Sequence, residues 1–375
     1  MADKSKLWDV LIVGGGQAGL ATARALSKTG LEFAVLEGGS EAVGSWPQYY
    51  DSLHLFSPAK HSSLPELTFP GDPDGYPSRD EVVAYLREYQ AHFDLPVYVQ
   101  ARVQSLHRPV KNGHDSRFEL RLESGERLQA RAVVSATGSF HTPFVPRIAG
   151  QADFTGVRLH SSQYRNPNQF AGQRVLVVGS RNSAVQIAAE LAPRSSVTLA
   201  VRTAVRFAPK RILGRDFHDW LKWIDRLPVG HILPLSVSAL VWDEEEYRAA
   251  LQAGGVQQKS MFQSFTERGV VWTDGESETI DTVIFASGFR DGPAYLEGTE
   301  ALDTQGNIVQ RLGKSRTVPG LYFVGLSGAR SLASATLRGV GQDARAVVRD
   351  LVHSLKPQLE AKQSKSWVQG WNCCF

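Results

Sequence analysis

The chain has 375 residues, of which 42% are hydrophobic, and its formal net charge is +3. No run approaches the roughly 18 apolar residues of a membrane span, and the charge is too small to indicate a nucleic-acid partner. The two cysteines, Cys373 and Cys374, are adjacent at the end of the chain, which excludes a disulfide framework, a cysteine-rich metal site and a CxxC dithiol. The ten histidines show no metal-binding spacing. A strand predicted from Trp8 leaves no room for a signal peptide, so we expect a cytoplasmic protein.

The first predicted unit opens with an apolar strand, 8–13, that runs into a glycine-rich turn and a helix. The turn reads Gly14-Gly15-Gly16-Gln17-Ala18-Gly19, and the next predicted strand, 33–36, ends at Glu37. In a dinucleotide-binding fold, glycines at this turn let the backbone approach a pyrophosphate at the helix N-terminus. An acid at the end of the second strand binds the ribose 2′-hydroxyl. We therefore predict a dinucleotide site that includes Gly14, Gly16, Gln17, Ala18, Gly19 and Glu37.

A long segment without regular periodicity follows, from Gly38 to Pro77, and it is rich in proline, glycine and aromatic residues. Loops of this length are usually functional, so its aromatics are candidates to wall a flavin ring; a packed surface loop is the alternative. The sequence Ser78-Arg79-Asp80-Glu81 predicts a capping box that opens a helix of about a dozen residues. Strands are predicted over 97–106, 118–123 and 127–136, where the candidate cofactor contacts are Val103, Ala136, Thr137 and Gly138.

The nucleotide pattern occurs a second time with the opposite charge at its end. A strand, 174–178, leads into Gly179-Ser180-Arg181-Asn182-Ser183-Ala184, a helix, and a strand, 197–201, that ends at Arg202. The chain advances the same 23 positions from Gly179 to Arg202 as from Gly14 to Glu37. Arginine suits a 2′-phosphate, which an acid would repel, so the simplest pair of cofactors is FAD first and NADPH second, with NADH weaker. The candidate contacts are Gly179, Ser180, Arg181, Asn182, Ser183, Arg202 and Thr203.

Two features of the second unit leave alternatives open. Arg181 stands where a second glycine is expected, so its side chain either crowds the pyrophosphate or swings out and binds it. Residues 204–265 interrupt the unit with an apolar helical stripe, which includes Phe217 and Leu221, and a turn-rich region from Pro228 to Pro234. Three interpretations of this insert are open: it covers the substrate, it forms a dimer face, or it lies on a membrane surface.

Beyond the insert, predicted strands at 270–272 and 282–286 complete the second unit and end at Ser287 and Gly288. A buried strand, 321–325, is predicted to rejoin the first sheet at Gly325, and a last helix runs from Arg338 to Leu355. The fold class is α/β with two Rossmann-like dinucleotide-binding domains. We predict a discontinuous FAD domain over 1–145 and 291–356, an inserted NADPH domain over 155–290 with a helical insert at about 204–265, and a loose tail over 357–375.

Between the two units the chain reads Phe154-x-Gly156-x-x-x-His160-x-x-x-Tyr164-Arg165. This resembles the fingerprint of the flavin-containing monooxygenases, which are class B flavoprotein monooxygenases, and the similarity covers essentially the whole chain. Through the stretch 211–216 the chain is similar to short bacterial members associated with arsenic- or metal-resistance operons. The resemblance places Gly44, Ser45 and Trp46 near the flavin.

The resemblance implies that NADPH reduces FAD, that NADP⁺ stays bound, and that reduced flavin and O₂ form a C4a-(hydro)peroxide. This species oxygenates a soft nucleophile, which is sulfur, nitrogen or a metalloid centre. His160 and Tyr164 then lie at the hinge between the nucleotide domains and couple to the position of NADP⁺; a merely structural histidine is the alternative. The implied partners are a small-molecule substrate and O₂, without nucleic acid or a membrane span, and a homodimer stays open.

One departure concerns the position beside the flavin. Vertebrate and yeast members carry an asparagine there in an (S/T)-N-x-P context, whereas this chain reads Leu55-Phe56-Ser57-Pro58. Phe56 cannot donate a hydrogen bond, so Ser57 and nearby tyrosines would have to supply the donors. An NAD(P)H oxidase or flavin reductase without oxygen transfer stays open, as does a metalloid-binding or regulatory flavoprotein that uses Cys373 and Cys374.

Overall fold

The computed structural model describes residues 6–371, apart from 109–116, 141, 225–239, 244–245, 254 and 291. Its strands, in chain order, are β1 Leu7–Val13, β2 Phe33–Leu36, β3 Val97–Tyr98, β4 Val103–His107, β5 Phe118–Leu122, β6 Arg127–Ser135, β7 Thr142–Pro143, β8 Val157–His160, β9 Arg174–Val178, β10 Ser196–Val201, β11 Phe207–Pro209, β12 Arg211–Ile212, β13 Arg215–Asp216, β14 Val241–Asp243, β15 Val256–Ser260, β16 Ser264–Thr266, β17 Gly269–Val271, β18 Ser277–Thr279, β19 Thr282–Phe285, β20 Phe289–Arg290, β21 Gln310–Arg311, β22 Lys314–Ser315 and β23 Leu321–Phe323. Its α-helices are α1 Gln17–Leu26, α2 Arg79–His92, α3 Asn182–Leu191, α4 Phe217–Ile224, α5 Glu246–Gln252 and α6 Leu337–Trp371.

The larger sheet is built around β1, which is almost completely buried, as expected for a parallel strand covered on both faces. It has nine strands; β21, β22, β23, β6, β1, β2 and β3 follow one another, and the hairpin of β4 and β5 joins through β6. β1 pairs in parallel with β2 and β6, and β23 pairs in parallel with β6. The carboxyl ends of these strands therefore meet at one edge, and the prediction that 321–325 rejoins this sheet is confirmed.

The smaller sheet repeats this plan around β9. Its five strands follow the order β15, β10, β9, β19, β8, and every pair is parallel. The central strand of each sheet, β1 or β9, thus leads into a glycine-containing loop. One neighbour of this strand, β2 or β10, ends at a charged residue. The other neighbour, β6 or β19, ends where the chain crosses from one unit to the other, and each of these connecting segments is called a crossing here. These two parallel units confirm the predicted α/β class with two Rossmann-type folds.

The start of α2 shows how closely local sequence can determine local structure. The Glu81 N–H donates to Ser78 Oγ over 3.3 Å, and the Ser78 N–H donates to Glu81 Oε2 over 2.7 Å. This reciprocal arrangement satisfies two backbone donors at the helix N-terminus. The predicted capping box is therefore confirmed.

Three parts of the chain differ from the predicted elements. The predicted strand 97–106 is divided into β3 and β4 by a turn at Gln100, whose φ is +53°. The insert contains short strands, β11 to β14, as well as the helices α4 and α5. The last helix, α6, does not stop near Leu355 but continues past Pro357 to Trp371.

Some predicted features lie outside the described residues, namely the turn-rich region 228–234 and the cysteine pair Cys373 and Cys374. Within the described part of the chain, no helix is both long and apolar enough to cross a membrane.

Candidate active site

The loop after β1 packs so closely that side chains are excluded from it. Gly14 has a φ of +106°, and a Cβ at this residue would lie 2.8 Å from the carbonyl oxygen of Ala136 at the end of β6. A Cβ at Gly19 would lie only 1.8 Å from the carbonyl oxygen of Gly14. The two glycines therefore bring the start of α1 directly against the ends of β1 and β6, and the unpaired N–H groups of α1 face this edge.

Glu37 is held at the end of β2 by backbone donors. Its carboxylate accepts hydrogen bonds from the N–H of Gly15, over 2.6 Å, and of Gly39, over 2.7 Å. A carboxylate has about four acceptor positions, so it can still accept from a ribose hydroxyl. The N–H of Ala101 donates to the Glu37 carbonyl oxygen over 2.8 Å, which brings the start of β4, with Val103, beside the same residue.

Two buried polar atoms near this edge lack a protein partner. Gln17 donates through Nε2 to the Ala335 carbonyl oxygen over 2.8 Å, but its Oε1 has no protein partner. Ser139 Oγ, just after Gly138, is also buried without one. Buried polar atoms are normally hydrogen-bonded, so these orphaned atoms fit a site completed by a bound polar group. A dinucleotide pyrophosphate and ribose have the matching donors and acceptors.

The other candidate residues of the first unit surround the same loop. A Cβ at Gly44 would lie 2.8 Å from the Cα of Gly16, and a Cβ at Gly325 would lie 2.7 Å from the Cβ of Ala18. Thr137 lies beside the buried hydroxyl of Tyr295. The structure thus brings the following candidates to one edge of the sheet: Gly14, Gly16, Gln17, Ala18, Gly19, Glu37, Gly44, Ala136, Thr137, Gly138 and Gly325. Ser45 and Trp46 follow Gly44 in the chain, and Val103 begins β4.

The second loop leaves its charged side chains exposed. Arg181 is exposed at the N-terminus of α3, so its side chain points outward and does not fill the loop. Arg202 and Thr203 are exposed just after β10, beside the loop formed by Gly179, Ser180, Asn182 and Ser183. Ala184, at the position of a third glycine, is fully buried. An anion that bound here would meet the N-terminus of α3 and these two arginines.

His160 connects the second sheet to its crossing. Its Nε2 is 2.9 Å from the carbonyl oxygen of Gly288, which can only accept, so Nε2 carries the hydrogen. Its Nδ1 accepts the Ser162 N–H over 3.2 Å. Burial lowers the pKa of His160, so the ring is neutral at pH 7 and both of its nitrogens are engaged. This geometry suits a residue that positions Gly288 and its neighbour Ser287.

Tyr164 is completely buried and does not line the nucleotide edge. Its hydroxyl donates to Glu190 Oε2 over 2.9 Å, and burial, followed by the charge of Glu190, raises its pKa. Its ring also packs near Tyr50, with centroids 6.1 Å apart. Tyr164 therefore joins the long loop of the first unit to α3, and it can affect a cofactor only through these neighbours.

The two crossings between the units form a small ribbon with an aromatic face. β7 pairs antiparallel with β20. Ring contacts then run from Trp46 to Tyr49 and Phe140, with centroids 5.6 Å and 6.2 Å apart, and on to Phe289 and His160 at 5.3 Å and 4.8 Å. This row of rings therefore links Trp46, beside the first glycine-rich loop, to His160 at the end of β8.

Phe56 and Ser57 lie where the insert meets the loop of the first unit. Phe56 is 39% exposed, and its ring packs near His218, with centroids 5.8 Å apart. Ser57 Oγ is 2.9 Å from Ser62 Oγ. His218 and its partner Asp216 were missed by the sequence analysis, although an Asp-x-His pair at the start of a predicted helix could have indicated them.

Comparison with known proteins agrees with this architecture. The chain is 33% identical over 352 residues to the uncharacterized oxidoreductase CzcO of Bacillus subtilis strain 168, covering 92% of this chain and 99% of that protein. It is 30% identical over 376 residues to the indole-3-pyruvate monooxygenase YUCCA1 of Oryza sativa subsp. japonica, covering 91% and 90%. The solved flavin-containing monooxygenase from Stenotrophomonas maltophilia matches with a TM-score of 0.81 and 32% identity, covering 93% and 99%.

The fold and the two loops define an oxidoreductase that uses a flavin and a nicotinamide cofactor. The sequence profile described as pyridine nucleotide-disulphide oxidoreductase matches residues 11–223. The chain belongs to this family and, within it, to the flavin monooxygenases. The matched residues contain no cysteine, so the dithiol chemistry in the family's name has no thiols there.

Proposed function

We propose that the protein is an NADPH-dependent, FAD-containing monooxygenase that oxygenates a soft nucleophile. The observation that carries the proposal is the pair of nucleotide loops that end in opposite charges, Glu37 in the first unit and Arg202 in the second. The relatives support the reaction class, since one of them is named an indole-3-pyruvate monooxygenase. The substrate of this chain is proposed only as a class: a sulfur, nitrogen or metalloid centre.

The first unit would hold FAD and the second would hold NADPH. The α1 N-terminus and the Gly14–Gly19 loop would bind the FAD pyrophosphate, with Glu37 on the ribose, and Arg202 and Thr203 would bind the 2′-phosphate of NADPH. Hydride acceptance and oxygen activation would come from bound FAD. The protein residues would bind and orient the two cofactors.

Products distinguish this proposal from an oxidase. Purified holoenzyme with NADPH, O₂ and methyl phenyl sulfide is expected to form the sulfoxide, with one oxygen atom from ¹⁸O₂ in the product. Hydrogen peroxide without any sulfoxide, for this sulfide and for a panel of amines and arsenite, would instead support the NAD(P)H oxidase alternative. A variant with both Cys373 and Cys374 changed to serine is the control for the metalloid-binding alternative.

Phe56→Asn is expected to reduce the leakage of hydrogen peroxide. Phenylalanine donates no hydrogen bond, whereas the asparagine amide could donate one toward bound FAD. One hydrogen bond to a charged group contributes about 1.5–3 kcal/mol, so NADPH oxidation without substrate should slow about ten- to hundredfold. The measurement is the rate of hydrogen peroxide formation in the absence of substrate.

Phe56→Leu is the matched control, because it keeps an apolar side chain and adds no donor. It should leak as fast as the wild type. If the wild type already releases little hydrogen peroxide, other groups stabilise the intermediate and this interpretation of Phe56 is wrong.

A further inference from the structure

Two acid–histidine pairs lie beside Phe56, where the insert meets the loop of the first unit. The His218 ring is 4% exposed, and its Nδ1 is 2.8 Å from Asp216 Oδ1. The His61 ring lies 6.2 Å from that of His218, centroid to centroid, and its Nε2 is 2.7 Å from Asp219 Oδ1. The pair of His218 and Asp216 is the one whose ring packs against Phe56.

Three hydroxyl groups of the long loop in the first unit, those of Tyr50, Ser57 and Ser62, already donate hydrogen bonds within the protein. Ser62 gives its hydroxyl proton to the Pro58 carbonyl oxygen over 3.0 Å, so the Ser57 hydroxyl donates to Ser62. The Tyr50 hydroxyl donates to Gln186 on α3. His218 is an ionisable side chain that contacts Phe56 from the other side of the interface.

The geometry sets the tautomer of His218. Burial alone raises the pKa of the Asp216 carboxyl, but hydrogen bonds from His218 and Tyr76 outweigh burial and lower that pKa to about 2. Asp216 is therefore ionised and can only accept, so Nδ1 of His218 carries the hydrogen. Nε2 is then the ring nitrogen that can accept a proton, which is the arrangement of a proton-transferring histidine.

The proposed reaction needs such a group, because it takes up one proton from outside. NADPH, O₂, one H⁺ and a sulfide give NADP⁺, the sulfoxide and water. Without oxygen transfer, NADPH, O₂ and one H⁺ give NADP⁺ and hydrogen peroxide. In both cases NADPH is oxidised by two electrons, O₂ is the oxidant, and one proton must be delivered to the reaction.

We propose that His218, held by Asp216, takes this proton from solvent on Nε2 and delivers it on the Phe56 side of the pocket. The inference rests on the proposed function for the identity of the reaction. The charged and titratable groups around the pair come from every neighbouring element: Lys60, His61, Asp74, Tyr76, Lys210, Asp216 and Asp219. His61 and Lys60 share Asp219 and serve to hold the insert against the loop.

The kinetic test compares the two histidines. His218→Gln is expected to lower kcat for NADPH oxidation at saturating substrate on the order of 100-fold, and to remove the histidine-dependent limb of the pH profile. His61→Gln, the matched control from the second acid–histidine pair, should keep both. His218→Ala should regain activity with added imidazole, which a merely structural role would not allow. Equal losses in both variants, or no loss in His218→Gln, would overturn the proposal.

A second test needs neither FAD nor turnover. In the apoprotein, side-chain ¹⁵N spectra of histidine should show the neutral His218 ring protonated on Nδ1, and Asp216→Leu should shift it toward the Nε2 tautomer. An Nε2-protonated ring in the wild type would contradict the proposal. Product analysis tests the proposed function separately. If only hydrogen peroxide forms, the proposed oxygen transfer is wrong, but the proposal for His218 can still hold, because the oxidase reaction also takes up one proton.

Discussion

Replacing Gly19 with alanine is expected to abolish FAD binding and to destabilise the first unit. The added Cβ would lie 1.8 Å from the Gly14 carbonyl oxygen. Because this oxygen belongs to the backbone and cannot rotate aside, α1 must move away from β1. Forced overpacking of this kind costs about 1–3 kcal/mol, which exceeds the roughly 1 kcal/mol that alanine gains over glycine in a helix. Because the same movement displaces the N–H groups that would bind the pyrophosphate, affinity for FAD falls together with stability.

The measurement is the flavin absorbance of purified protein and the urea midpoint of the apoprotein. Wild-type protein should be yellow and release FAD when denatured with acid. Ala184→Gly in the second loop is the matched control, since it exchanges the same two residue types in the opposite direction. It should cost about 1 kcal/mol of helix propensity and about 0.8 kcal/mol for the buried methyl group, and it should retain FAD. A yellow Gly19→Ala protein with normal stability would show that the loop is not packed as described.

Arg202→Ala is expected to remove the preference for NADPH. Arg202 is exposed at the end of β10, where it can contact a 2′-phosphate with two N–H donors. A partly desolvated contact of this kind contributes about 1.5–3 kcal/mol, which corresponds to a ten- to hundredfold preference. The kcat/KM for NADPH should fall by that factor, while the kcat/KM for NADH stays near its wild-type value.

Arg181→Ala provides the control for this experiment, because Arg181 is also an exposed arginine beside the second loop. If it binds the pyrophosphate, which both cofactors share, its loss should weaken NADH and NADPH equally. Should Arg202→Ala also weaken both cofactors equally, then Arg202 does not distinguish the 2′-phosphate from a hydroxyl.

The sequence by itself determined most of the fold around the two loops. Glycines at 14 and 19 and an acid at 37 are local signals, because each residue type meets a backbone requirement set by its immediate neighbours. The role of Arg202 stays a prediction. The capping box at Ser78 and the crossing at 136–138 are equally local. For these elements, short spacings along the chain were enough to predict two parallel sheets with a nucleotide loop on each.

Only the tertiary structure decided what surrounds Phe56. Residues 56 and 218 are far apart in the sequence, and no periodicity relates them; they meet because the insert folds back on the loop of the first unit through His61, Asp219 and Tyr76. The same holds for Tyr164, which the motif marked but whose complete burial depends on packing against Tyr50 and Glu190. Contacts between distant segments depend on shape and burial in three dimensions, and a linear pattern does not encode them residue by residue.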